Sequence, residues 1–392
     1  MRVAHLIAEF SAREAMGRTV TETARRVEGE HHLVTAHAHD GHDVFAGVHE
    51  LGGGVATFPL GRTAALAGAL AAIRPDVVHL HAGALGPVQA AMAVLRPYRT
   101  VLTAYAWPTV PGPRAWRRAT LAEMVASNVL QPRVGLTTLL PPAVATMALH
   151  RAGVTTVLTP DPRVADRLGG RRGASRGLTV TRLPSGAPAD DRRARFDADR
   201  PVIVFAGRAE SVRGLDTLLA AFPAVRARIP GARLRLLLIP RPELPAILSR
   251  AGTAEGVEVV TEPVPDLLAE LAAAQVGTWP FKFDYTTSPP AMAVAEAMSV
   301  GLPVVATDVS CVRAVLEPGV NGLAVPPADP AALAAGLISV LTDEATWHRF
   351  AEAGARSVRE RLGWDRAAEV TAAAYRTSAA PSPTSTGREA AI

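Results

Sequence analysis

Residues Tyr285 to Asp308 read YTTSPPAMAVAEAMSVGLPVVATD. A Ser/Thr run meets Pro289 and Pro290, then comes a short apolar helix pattern carrying one acid, Glu296. Gly301-Leu302-Pro303 follows, and then the apolar run Val304 to Ala306. Proline fits the first turn of a helix, where its missing N–H would be unpaired anyway. The segment therefore predicts a loop, a helix beginning near Pro289, a glycine stop and a short buried strand. A helix start of this kind turns free N–H groups and a positive dipole end toward the crevice, where anions bind.

Working outward, the same strand–helix rhythm runs through the chain. VAHLIA (3–8), HHLVTA (31–36), DVVHLH (76–81), TVLTAY (100–105) and TTVLTP (155–160) read as strands, with amphipathic stretches such as Gly17–Glu28 and Arg62–Ile73 between them. That alternation means a parallel sheet covered on both faces, whose ligands lie beyond the carboxyl ends of the strands. After the first strand, Gly17 opens a helix beside Arg18 in a turn able to approach a phosphate closely. A polar Gly/Pro segment ends near Arg200, and a new α/β unit starts at PVIVFAGRAESVRGLDTLLAAF. Arg208 and Arg213 stand at that strand's carboxyl end and the next helix start, a plausible diphosphate clamp. The expected organisation is residues 1–186, a linker 187–200, a second domain 201–362, a closing helix 363–379 packing back on the first domain, and a disordered tail 380–392.

Composition narrows the function classes. The chain has 392 residues, 48% hydrophobic and 20% charged, with net charge +5 carried by arginine and one lysine, Lys282. No apolar run reaches the roughly 18 residues of a spanning helix, and the first ten residues read as a strand, not a signal peptide. The single Cys311 excludes an intramolecular disulfide and points to a reducing compartment. Aromatics make up only 5% and do not interleave with the arginine clusters, which argues against a nucleic-acid surface. PRAWRR (113–118) could rest on an anionic membrane face or pack plainly. His37, His39, Asp40, His42 and Asp43 invite a metal reading but lie in a polar loop with no ligand framework, and a solvated loop is expected. His79 and His81 share one strand face, with a core or satisfied fate expected for one of them.

The motifs FAGR…RGLDTLLAAF (205–222), AVAEAMSVGLPVVATD (293–308) and PGVNGLAVPPADPAALAAGL (318–337) resemble the retaining glycosyltransferases of family 4, with looser collinear matches at GRTVTETARRV, PDVVHLHAG, VLTAY and LPSG. The resemblance implies a GT-B fold, two Rossmann-like domains facing across a cleft. It implies transfer of a sugar from a UDP- or GDP-sugar to a hydroxyl acceptor, without metal or further cofactor, in the cytoplasm. Arg208 and Arg213 would hold the donor diphosphate, Glu296 the ribose, and the Gly17 turn would lie over the phosphates. Amides of Ala291 and Met292 would remain at the helix start. Several positions depart from the family pattern. Ser288 replaces the first glutamate of a spaced pair, Pro289-Pro290 removes two N–H donors, and Tyr105 stands where the catalytic histidine falls. A second glycine pair is replaced by Ser310-Cys311. Two other readings stay open: a sugar-nucleotide epimerase, and a catalytically silent GT-B protein that binds a ligand or partner.

Overall fold

A computed structural model describes residues 1–12, 14–54, 58–59, 61–82, 94–105, 147, 149–169, 178–252, 254–283 and 290–379. Ser288, most of the 108–150 segment and the 380–392 tail lie outside the described residues.

The first domain contains β1 (Arg2–Phe10), α1 (Ala15–Arg26), β2 (Glu30–Ala38), β3 (Gly47–Glu50), α2 (Thr63–Ile73), β4 (Val77–Ala82), β5 (Thr100–Ala104), β6 (Val154–Thr159), α3 (Pro162–Gly169) and β7 (Thr179–Arg182). Its seven strands are ordered β3-β2-β1-β4-β5-β6-β7. The second domain contains β8 (Val202–Arg208), α4 (Leu215–Arg228), β9 (Arg233–Ile239), α5 (Leu244–Ala251), β10 (Val257–Val260), α6 (Leu267–Ala272), β11 (Val276–Trp279), α7 (Met292–Ser299), β12 (Val304–Thr307), α8 (Ser310–Arg313) and β13 (Leu323–Val325). These six strands are ordered β10-β9-β8-β11-β12-β13. The described ladders, β1 with β2 and β4 or β8 with β9 and β11, are parallel. Three helices close the chain: α9 (Pro330–Thr342), α10 (Glu344–Ser357) and α11 (Trp364–Ala379). No helix among the described residues is long and apolar enough to cross a membrane.

Strand alternation builds the first domain's two faces. Ala4 and Leu6 of β1 pack with Leu66 and Leu70 of α2, while Val3 faces Trp364 and Tyr375 of α11. Thus α11 returns to the first sheet, where Arg99 Nη1 donates to Ser378 O at 2.8 Å. Gly186 permits that return, because a Cβ there would sit 2.0 Å from the Trp364 ring. The second domain has one core, in which Phe205, Phe222, Trp279 and Trp347 are buried. Trp279 Nε1 donates to Ala206 O at 3.0 Å, so its polar edge is satisfied.

Two elements differ from the sequence reading. Strand β3 was not anticipated, since GVHE is a short edge strand without an apolar run. Helix α7 begins at Met292 instead of near Pro289. Ala291 is the N-cap, its ψ of 85° lies outside the helical range and its amide is bonded to Cys311 O, so the first helical residue is Met292.

Candidate functional site

Strand order reverses between β1 and β4 in one sheet and between β8 and β11 in the other. At such switch points the loops part and leave a crevice beyond the carboxyl ends. Some of the sequence-selected residues lie there. Arg208 is the last residue of β8, and Arg213 closes a 3₁₀ turn over Ser211–Arg213. The Arg213 guanidinium is mostly buried. Its Nε donates to Glu210 Oε2 at 3.0 Å, and its Cζ lies 5.6 Å from the Phe281 ring centroid. Arg208 is 39% exposed and, among the described residues, its side chain meets only Glu14, at 3.5 Å, so its fork can turn to a ligand.

Gly214 sets the approach of this turn to β11. Its φ is +79°, and an added Cβ would lie 1.7 Å from Pro280 O. Gly214→Ala is expected to cost on the order of 3 kcal/mol or more, combining left-handed strain with a backbone collision. Urea unfolding checks this, and an unchanged midpoint would refute the steric account.

Helix α7 supplies Glu296, whose side chain is 8% exposed between apolar neighbours. Burial pushes its pKa up, and Arg18 opposes that shift. Arg18 Nη1 donates to Glu296 Oε1, joining the first turns of α1 to α7 across the two domains. The Ala291 amide, expected to face the crevice, donates instead to Cys311 O at 3.1 Å; Met292 is the first residue of α7. Ser310 and Cys311 are buried at the start of α8. Gly17 is required where it stands, because a Cβ would lie 2.0 Å from Ser11 O.

Tyr105 follows β5 and is 4% exposed. Its hydroxyl lies 3.3 Å from His81 Nδ1. Behind it runs a histidine chain on one face of the sheet. His31 Nε2 is 2.8 Å from Val27 O, a pure acceptor, so that nitrogen carries the proton and Nδ1 accepts. His5 Nε2 then donates to His31 Nδ1 at 2.8 Å, and His81 Nε2 donates to His5 Nδ1 at 3.2 Å. This order leaves His81 Nδ1 as an acceptor and turns the Tyr105 proton inward. His79, beside His5 in the β1–β4 register, bonds Tyr375 at 2.6 Å and Thr103 at 2.7 Å. Burial lowers the pKa of His5, His79 and His81, the last to about 3.

Nitrogens of His5, His79 and His81 lie within 4.8 Å of one another, a spacing compatible with a metal. Each ring already has both nitrogens paired, so the described geometry is that of a neutral hydrogen-bond chain. The polar loop disperses: His39 pairs with Glu9 at 2.8 Å, Asp40 accepts from Ser11 and Ala12, and His37 meets Gly53 O. Sequence reading had not given Glu14, Arg18, His5 or His31 a role. For the two histidines a signal existed, since each sits on a strand; for the ion pairs none did.

Comparison with known proteins agrees with this geometry. Residues 200–343 match the model of the family described as glycosyl transferases group 1. The chain is 32% identical over 202 residues to a D-inositol 3-phosphate glycosyltransferase of Xylanimonas cellulosilytica, covering 47% of this chain and 45% of that protein. It is 30% identical over 212 residues to a phosphatidyl-myo-inositol mannosyltransferase of Mycobacterium leprae, covering 52% and 55%. The chain thus matches about half the length of these curated relatives. Among solved structures, sucrose-phosphate synthase from Thermosynechococcus elongatus aligns over 96% of this chain and 99% of its own with a TM-score of 0.70 at 19% identity. Anabaena HepE in complex with UDP and glucose aligns over 96% and 100% with a TM-score of 0.69 at 14% identity. At these identities the likeness shows the fold, a GT-B pair of Rossmann-like domains. Its C-terminal domain is thus similar, over residues 200–343, to the family described as glycosyl transferases group 1.

Proposed function

We propose that the protein is a retaining glycosyltransferase that moves a sugar from a UDP- or GDP-sugar to a hydroxyl acceptor. The observation that carries this reading is that the start of α1, around Gly17, meets Arg208 through Glu14 and Glu296 through Arg18, with Arg213 in the turn that follows Arg208. Two guanidiniums suit a diphosphate, and a buried carboxylate suits a ribose diol. In the transfer, the acceptor oxygen bonds the anomeric carbon as the bond from that carbon to the diphosphate oxygen breaks. The acceptor proton passes to the departing phosphate, and the arginines stabilise the charge that develops there. No metal or further cofactor is assigned, and the enzyme is placed in the cytoplasm. PRAWRR leaves a contact with an anionic membrane open, for which a lipid acceptor would give a reason.

A thermal-shift scan of UDP, GDP and their sugars tests the donor assignment. One base series is expected to raise Tm by several degrees at saturating ligand, because a ligand bound only to the folded state stabilises it by mass action. No shift with any member of the series refutes the reading. The inward-turned Tyr105 proton favours one second reading, a nucleotide-binding protein without transferase activity. That protein would give the same thermal shift but release no nucleotide from any donor.

A further inference from the structure

Resting on that reading, we propose that Arg18 is the residue that positions the Glu296 carboxylate for the ribose diol, so that both domains read the nucleotide together. Glu296 lies on α7 between fully buried Ala295 and Ala297, where an unpaired carboxylate is costly. Among the described residues its side chain has one partner, Arg18 Nη1 on Oε1. The second carboxylate oxygen has no donor among them. A carboxylate clamped through one oxygen presents the other in a fixed direction, and a vicinal diol supplies the two O–H donors that fit it.

Arg18 is built to hold that position. It sits in the first turn of α1, with its backbone N–H donating to Glu14 O at 2.7 Å. Gly17 beside it packs against Ser11 so closely that no side chain fits. The guanidinium is 36% exposed, within reach of a molecule entering the cleft. Its charge also opposes the upward pKa shift that burial imposes on Glu296. Arg18 therefore has two effects on one carboxylate, orientation and retention of charge, and both serve hydroxyl recognition.

The two roles separate experimentally. Titration calorimetry on the full chain would compare wild type, Arg18→Met, Arg18→Lys and Glu296→Gln with UDP, GDP and their 2′-deoxy counterparts. Wild type is expected to prefer the ribonucleotide of one base. Arg18→Met should lose roughly 10- to 100-fold in ribonucleotide affinity and most of the preference over the deoxy form. Arg18→Lys should fall between them, which keeps the test informative if the methionine variant folds poorly. Relative to wild type at each pH, the affinity of Arg18→Met should recover as pH rises from 6 to 8.5, because an unassisted Glu296 ionises late. The proposal is overturned if Arg18→Met binds as wild type does. It is equally overturned if that variant loses the same factor for ribo and deoxy forms while Glu296→Gln abolishes the preference. Wild type binding neither UDP nor GDP overturns the glycosyltransferase reading, and this inference with it.

Discussion

Arg208→Ala combined with Arg213→Ala is expected to lower kcat about 10³- to 10⁴-fold, with the fold intact. A donor lost from the group that receives developing charge costs about 10²- to 10³-fold in turnover, and two donors on one diphosphate act together, so their losses do not simply multiply. The two arginines differ. Arg213 is held by Glu210 and Phe281, so it is already oriented toward the β8 end. Arg208 is loosely paired with Glu14 and must swing to its ligand. Arg213→Lys should therefore keep activity within about tenfold, since a point charge at a fixed position still serves. Arg208→Lys should lose more, because the bidentate fork is lost. Donor-dependent release of the nucleoside diphosphate reads all three variants. Turnover of the double alanine variant within tenfold of wild type would remove both residues from the diphosphate site.

Acid should unfold the protein in a window set by the histidine chain. His5, His79 and His81 are sealed between the first sheet and its covering helices, and burial holds their pKa values well below the usual histidine value of about 6.5. In the folded state they stay neutral while the unfolded chain takes up protons. Below about pH 6.5 the unfolded state thus binds more protons, and stability falls as pH falls, continuing toward pH 3 for His81. Each such group costs about 1.4 kcal/mol per pH unit, so three cost about 4 kcal/mol per unit. Against a total of about 5–15 kcal/mol, a loss of this order per unit is a large fraction of the stability. Among the described residues, no carboxylate is bonded to these rings. The rings face one another, His31, Thr103, Tyr105 and Tyr375. Asp190, Asp308 and Asp343, whose pKa values are lowered by Arg192, Arg313 and Thr346, lose their contribution only at more acid pH. Urea midpoints measured from pH 7.5 to 5 test this; a midpoint flat across that range would show that the histidines charge without cost.

Much of the fold was legible because its signals are local. The β8 run with its glycine–arginine end and the apolar run at β12 each act over a few residues. The three residues that carry the donor reading, Arg208, Arg213 and Glu296, were named from motifs lying within single strand–helix units. Three features needed the third dimension. The amide of Ala291 is consumed by Cys311, twenty residues on, through the packing of α8 against the start of α7. His5, His31 and His81 form one chain only because parallel register lays β2 and β4 on either side of β1. Arg18 and Glu296 meet although 278 positions separate them.

By itself, then, the sequence determined two parallel α/β domains and the identity of the groups at the carboxyl ends of their strands. Strand and helix periodicity, glycine stops and prolines are short-range steric effects, written where they act. Only the tertiary structure decided which of those groups touch. Strand order, register and the seating of one domain on the other place a guanidinium from the first turn of α1 on a carboxylate of α7. Such contacts depend on the summed geometry of every intervening connection, and no local pattern encodes that sum.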